Sequence, residues 1–399
     1  MSRRPPLIFI FTVTLTGILN NTLISPAIPD ILEEFGTPSS RAGALVAAGS
    51  VAGIMVAPLV GILADRFGRR IVLSSCLATF GLFGGLAALA PSFGVLIGAR
   101  LLQGVGSAGL VNLAVVLLGD HWSGAERTRL VGRNAAVLTT GLAALPLLSG
   151  WVTEGFGWRV TFGIYTVALL IAAVAWMVLD GRRPEHPPSV REQISGVGAV
   201  VRKPAVIALL TAGFMVFVMI FGLFLTVFPV HLAEQFGMRA GARGVMIAIP
   251  AIGSTLMAFN LGRIRGRITT KGIVVLSAAG FVVAFTTIGI AGAVAGVVFG
   301  AILYGAAEGA LIPSLQDEAM EASPDEHRGA VVAVWVSAAR AGQTAGPLIA
   351  GVGLAFWRTG TVFVVGSAVA VSLLLLGLLG PLRSVPIKTP SQSERNLSL

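Results

Sequence analysis

Again and again in this chain, no Asp, Glu, Lys or Arg occurs for 17 to 36 residues. These stretches are 5–29, 42–64, 71–99, 101–119, 134–153, 160–179, 204–233, 244–262, 272–307, 341–357 and 359–382. About 20 apolar residues in a helix cross the hydrocarbon of a bilayer. The backbone there must satisfy its own hydrogen bonds, which leaves helices as the way to span. The chain of 399 residues is 55% hydrophobic and 12% charged, against about 25% charged for a soluble domain. That excludes a water-soluble enzyme and a disordered chain. The net charge of +10 does not indicate a nucleic-acid partner, because the basic residues are scattered between apolar runs and form no basic face. One cysteine, Cys76, and four histidines without ligand spacing give no metal site and no disulfide framework.

The stretches resolve into twelve spans. The 71–119 region, broken only by Arg100, is a hairpin turning near Pro91 and Ser92. The 272–316 region, broken only by Glu308, turns near Gly289–Gly292, and 329–352 is one span containing Arg340. The expected fold is an all-α integral membrane protein of twelve transmembrane helices. The first span is too long for a cleaved signal and lacks a small-residue cleavage site. With both termini in the cytoplasm, 21 of the 28 basic residues fall in inside loops and tails, five fall outside, and Arg100 and Arg340 lie within spans. This bias follows the positive-inside rule and places the protein in the cell membrane. The inside charges contact anionic lipid.

The longest polar interruption is Asp180–Lys203, with Pro184, Pro187 and Pro188 and room for a short surface helix at Ser195–Val201. It divides the chain into a six-helix bundle (1–180), a cytoplasmic linker (181–204), a second six-helix bundle (205–382) and a tail (383–399). The halves are related. At a constant shift of 201 residues, Gly61 falls on Gly262, Arg66 on Arg267, Gly104 on Gly305, Arg127 on Arg328, Gly141 on Gly342, Pro146 on Pro347 and Gly150 on Gly351. An even number of spans per half makes this a parallel repeat, the arrangement of transporters whose site lies between the halves.

The turn after the second span reads Gly61-Ile-Leu-Ala-Asp65-Arg66-Phe-Gly68-Arg69-Arg70. It resembles the Gly-x-x-x-Asp-Arg-x-Gly-Arg-Arg signature of the major facilitator superfamily. Physically, Gly61 permits close helix approach, Asp65 pairs with arginines or caps a helix, and Gly68 permits the tight turn. The resemblance implies a latch that closes the cytoplasmic side in the outward-facing state. The second-half copy has Gly266 where Asp65 would repeat, so the latch is asymmetric. In span 4, Arg100-Leu-Leu-Gln103-Gly104 resembles an Arg-x-x-Gln-Gly pattern of proton-coupled members. An arginine at that depth faces a cavity or partner, or snorkels to a surface about 11 Å away. In span 5, Gly141, Pro146 and Gly150 resemble the glycine–proline run of antiporters, with Leu145 and Ser149 replacing two glycines. Span 11 repeats it as Gly342, Gly346, Pro347 and Gly351. Proline bends a helix and small residues allow close packing.

Glu308 is the one carboxylate deep in a span. A carboxyl group out of water can carry a proton as well as a charge. Arg100 or Arg340 can serve as its counter-charge, and a static ion pair is the other reading. Antiporters of this type often carry an acid in span 1, where this chain has only Asn20 and Asn21. Phe217, Phe221 and Phe224 belong to a stripe with Phe214 and Phe228, spaced to share one helix face. The stripe lines a cavity for a lipophilic, aromatic or cationic compound, or packs against a neighbour. Asn20, Asn21, Gln103, Asn112, Tyr304 and Gln343 are candidate polar contacts.

The resemblance implies a secondary active transporter of the twelve-span drug:proton antiporter type. It would be a monomer exporting a small lipophilic or amphiphilic drug, siderophore or metabolite by alternating access. The energy source is the proton gradient and no cofactor is expected. An importer of a nutrient or organic ion is the alternative. The spans carry no cluster of nucleophile, base and metal ligands, so no enzyme is expected.

Overall fold

A computed structural model describes residues 4–181, 203–321 and 328–382. The proposed Ser195–Val201 helix, nearly all of the linker and the tail lie outside the described residues. The described chain is helical throughout, with no strand. Eleven helices among these residues are long and apolar enough to cross a membrane. In chain order they are α1 Leu7–Glu34, α2 Ala42–Phe67, α3 Arg69–Ala88, α4 Phe93–His121, α5 Gly124–Phe156, α6 Trp158–Val178, α7 Pro204–Phe236, α8 Ala240–Arg265, α9 Thr270–Ile290, α10 Val294–Glu321 and α12 Thr359–Leu379. A further helix, α11 (Arg328–Phe356), lies between α10 and α12 and carries Arg340.

The turns fall where the sequence allows them. Ser92 caps α4 by accepting from the Val95 N–H at 3.4 Å, and Thr269 caps α9 by accepting from Gly272 at 3.0 Å. Between α2 and α3 the whole connection is Gly68, with φ 91°, a conformation that side chains disfavour. Both expected hairpins form, α3–α4 around Pro91 and α9–α10 around Ala291. Several helices depart from regularity: α1 carries a 3-10 turn at Ser25–Ala27, α6 one at Ile164–Thr166, and α7 a longer departure. Met219–Val227 of α7 is a nine-residue π-helix, in which the Thr226 hydroxyl donates to the Phe221 carbonyl at 2.6 Å.

Within the described residues the helices form two compact units. The first comprises residues 4–181, 217–248 and 339–363; the second comprises residues 203–216, 249–321, 328–338 and 364–382. In the first, Phe80, Phe162 and Tyr165 meet edge to face at 5.4 Å in the centre of the α1–α6 packing. In the second, Tyr304 sits 5.6 Å from both Phe281 and Phe285.

Each unit contains the same close helix crossing. In the first, a methyl group at Gly104 of α4 would lie 2.8 Å from the Gly49 carbonyl of α2. In the second, Gly305 of α10 lies on the Pro250 backbone of α8. Both residues of the first pair fall on the second at the shift of 201. Lipid offers no hydrophobic drive between helices, so such backbone approach supplies much of the association.

Gly104→Val should therefore be costly, because overpacking a tight contact loses about 1–3 kcal/mol. Gly98→Val, on the same helix but with nothing within 4 Å of an added Cβ, should melt like the wild type. Thermal melts of the two variants in detergent check this.

Candidate functional site

Arg100 is completely buried, with 0% exposure. It lies halfway along the first segment of α4 and does not reach a surface. Its Nη1 donates to Gln103 Oε1 at 2.7 Å, and its Nη2 donates to the Asn20 carbonyl at 2.8 Å and to Asn21 Oδ1 at 3.4 Å. The hydroxyl of Tyr165 in α6 reaches the carbonyls of Leu19 and Asn20, both at 3.3 Å. Asn20 donates to the Gly49 carbonyl at 2.7 Å. Thus α1, α2, α4 and α6 converge on one guanidinium. Of the expected polar contacts, Asn20, Asn21 and Gln103 come together here. Tyr165 was not anticipated, although it is one of only two tyrosines in the chain.

Asn112 is elsewhere. It lines a cavity of about 180 Å³ with Gly61, Asp65 and Arg69. Arg69 bridges Asp65 at 2.6 Å and Asp120 at 3.1 Å, tying the ends of α2, α3 and α4 together. Arg70 lies over the Trp176 ring at 4.3 Å, and Arg66 is exposed. A Cβ at Gly61 would meet nothing within 4 Å, so the expected close approach is not made there; the residue borders the cavity instead. In the second unit Arg265, beside Gly266, pairs with Asp317 and donates to Ser314 Oγ at 3.2 Å.

The glycine–proline runs of α5 and α11 make a seam inside the first unit. Gly150 packs 3.0 Å from Gly244 Cα of α8, measured from an added Cβ, and the Pro146 carbonyl faces the same glycine. On the other side Gly351 packs 3.2 Å from Gly43 Cα of α2, and the Pro347 carbonyl faces Gly43. Gly43 and Gly244 are themselves 201 residues apart, so the two contacts are copies of each other. Gly346 adds a contact to Gly222 of the π segment, 3.0 Å from its nitrogen. Gly141 packs under Leu15 and Ile18 of α1, and Gly342 lies in α11 one turn before Gly346.

Polar groups clamp this seam. Arg243 of α8 is 4% exposed and pairs with Asp30 of α1, while donating to the carbonyls of Pro26 at 2.9 Å and Met238 at 3.1 Å. Ser39 donates to Glu234, and the Gly241 N–H donates to Glu154 at 2.8 Å. Partners 213 residues apart leave no local signal.

Glu308 lies in α10 of the second unit, half-buried, and receives a hydrogen bond from the Tyr304 hydroxyl one turn earlier. Tyr304 is 1% exposed, wedged between Phe281 and Phe285. Gln343 is half-buried, and its carbonyl accepts from Ser50 at 3.4 Å. The phenylalanine stripe does not keep one face. The i→i+5 bonds of the π segment widen the turn, and the rings separate into two stacked pairs. Phe217 and Phe221 stack at 6.1 Å and are half-buried; Phe224 and Phe228 stack at 4.9 Å and are buried, with Phe228 against Phe363.

The sequence profile described as the Major Facilitator Superfamily matches residues 10–231 and 214–398. The chain is 25% identical over 272 residues to the Bacillibactin exporter of Bacillus subtilis (strain 168), covering 65% of this chain and 67% of that one. It is 28% identical over 392 residues to the class D Tetracycline resistance protein of Salmonella ordonez, covering 94% and 96%. Among solved structures, a bacterial homolog of the human lysosomal transporter Spinster, inward-facing and unoccupied, superposes with a TM-score of 0.73 over 94% of both chains at 17% identity.

If the clamp holds the seam, cysteines replacing Ser39 and Glu234 should cross-link with a short reagent once Cys76 is replaced by Ala. Arg243→Ala should lower that yield, because it removes hydrogen bonds to a carboxylate and two carbonyls worth about 1–3 kcal/mol. An unchanged yield would show that Arg243 does not hold the seam.

Proposed function

The chain belongs to the Major Facilitator Superfamily, and from that premise we propose that it is a proton-coupled exporter. It is a multi-pass secondary-active transporter of small molecules, a family of carriers and not of enzymes. The finer reading is antiport of a small amphiphilic compound against protons by twelve spans in two six-helix halves, with both termini in the cytoplasm.

The observation that carries this reading is the seam. The run of α5 that resembles the antiporter motif makes backbone contact with Gly244, and its copy in α11 makes the matching contact with Gly43. Contacts between backbones hold no interlocked side chains, so helices can slide apart and rejoin. In the proposed topology this seam is the outer gate, and Asp65, Arg69 and Asp120 stand at the cytoplasmic end. The names of the Bacillibactin exporter and the Tetracycline resistance protein support the export direction.

Glu308 is the proposed proton carrier. It is an acid in the middle of a spanning helix, with a single tyrosine hydroxyl to stabilise its charge. Protonated, it is compatible with a dry setting; charged, it calls for water or a counter-charge. Alternating access exposes it to each side in turn, so proton entry can drive export.

Glu308→Gln fixes the protonated form. In proteoliposomes the variant should exchange substrate across the membrane but fail to accumulate it against a gradient when a pH difference is imposed. Uphill transport with the wild-type pH dependence would remove Glu308 from the coupling step. Accumulation driven inward by the substrate alone, indifferent to Glu308, would favour an importer.

A further inference from the structure

Two guanidinium groups lie on one face of α2. The first is Arg100, whose Nη2 occupies the space that a Cβ on Gly49 would fill. The second is Arg340 of α11, whose Nη1 lies 3.4 Å from the position of a Cβ on Gly53. Gly49 and Gly53 are four residues apart on a helix, and so are about 6 Å apart along its axis. All four residues belong to the first unit.

None of the described carboxylates of that unit forms an ion pair with either arginine; Asp30, Glu34, Asp65, Asp120 and Glu154 pair with Arg243, Arg159, Arg69, Arg69 and Arg239, and Glu234 accepts from Ser39. Two like charges inside one unit repel, more strongly out of water than in it. Arg100 has only neutral oxygens around it, from Gln103, Asn20, Asn21 and the Tyr165 hydroxyl. Its Nε, and Nε2 of Gln103, are buried donors without an acceptor, while the only unpartnered acceptor in the same cluster is Asn20 Oδ1. The cluster therefore has positive charge and unused donors in excess. Arginine presents its donors in a planar fork suited to carboxylates and other oxyanions.

We infer that Arg100 and Arg340 form the receptor for an organic anion, a compound whose carboxylate or similar oxyanion docks along the Gly49–Gly53 face. This rests on the proposed transport function and names its substrate class: the polar end of the amphiphile is negative. Glycine at both positions keeps α2 from filling the space that the guanidiniums occupy. The Phe162 ring, 6.0 Å from the Arg100 guanidinium carbon, helps hold that charge in place.

The test uses the purified full chain in detergent and a panel of aromatic and aliphatic monocarboxylates. Each acid is matched with its uncharged amide and its amine, so that shape is held while charge changes. The carboxylates should raise the melting temperature in a saturable way, and their amides and amines should not. Arg340→Gln should weaken half-saturation at least about tenfold, the loss of one charge-assisted contact, and Arg340→Lys should recover part of it. Arg100→Gln should abolish the shift; should that variant fail to fold, Gly53→Leu, which crowds Arg340 without removing a charge, takes its place and should also weaken the response. No shift from any carboxylate, an equal shift from the amides or amines, or full binding in Arg340→Gln would overturn the inference. Failure of the transport reading is separate. A wild-type protein that moves a cation or neutral compound uphill against protons keeps that reading while the anion site falls. One that binds carboxylates but moves nothing in proteoliposomes keeps the site and loses the transporter.

Discussion

Backbone contact between helices, made where side chains are absent, is the constraint on which the rest of this structure depends. In lipid, a helix gains nothing by hiding apolar side chains from a solvent that is itself apolar. Attraction has to come from dispersion, which needs close approach. Gly104 on Gly49, Gly305 on Pro250, Gly150 on Gly244 and Gly351 on Gly43 supply it. The first two contacts each lie within one compact unit and set helix packing. The last two join α5 to α8 and α11 to α2, and set the seam. Using the same kind of contact in both places has a consequence. The seam is as well packed as the interior, so something directional must tell the two apart. That is the work of Asp30 with Arg243, Ser39 with Glu234 and Glu154 with Gly241, whose contacts are directional.

Burial of Arg100 is the opposite case, an expense in packing and solvation. A guanidinium at 0% exposure gives up its water and in return receives carbonyl and amide oxygens. Such bonds satisfy donors without cancelling the charge. A protein that keeps this arrangement keeps a standing positive potential inside the membrane. It does so next to the glycine face that also admits Arg340.

Much of the fold was legible because hydropathy is a long-range average. Charge-free stretches located the spans and the α3–α4 and α9–α10 turns, and Gly68 announced its own turn. The seam was half legible. Pro146, Gly150, Pro347 and Gly351 stood out as motifs, yet their partners Gly43 and Gly244 did not, although they obey the same shift of 201. Matching both members of a contact needs the helix pairing as well as the repeat. The phenylalanine stripe misled for a local reason: period counting assumes 3.6 residues per turn, and the π segment Met219–Val227 changes it. Asn112 was grouped with Asn20 by residue type, but the helix carries it to the cavity beside Asp65. Asp30 and Arg243 were invisible as a pair because nothing in a sequence links two ends of different helices.

The repeat also separates scaffold from chemistry. Positions that preserve the shift of 201 include most glycines and prolines of the contacts, with Arg66 on Arg267 and Arg127 on Arg328. The deep or paired charges break it: Arg100 faces Ala301 in the alignment of the halves, Glu308 faces Ser107, Arg340 faces Thr139, Asp65 faces Gly266, and Arg243 faces Ala42. The polar cluster around Arg100 is broken in the same sense. Asn20 corresponds to Phe221, Gln103 to Tyr304 and Arg100 to Ala301, so at these positions the first repeat offers amides and charge where the second offers two aromatic rings and an alanine. A symmetric scaffold with symmetric side chains would present the same chemistry twice and could not distinguish the two ends of a substrate. The proposed substrate, with a negative head and an apolar body, needs such unlike chemistry, and the proposed proton on Glu308 would change the charge of only one repeat. In that reading direction arises from which position holds which charge, on a scaffold of contacts common to both repeats.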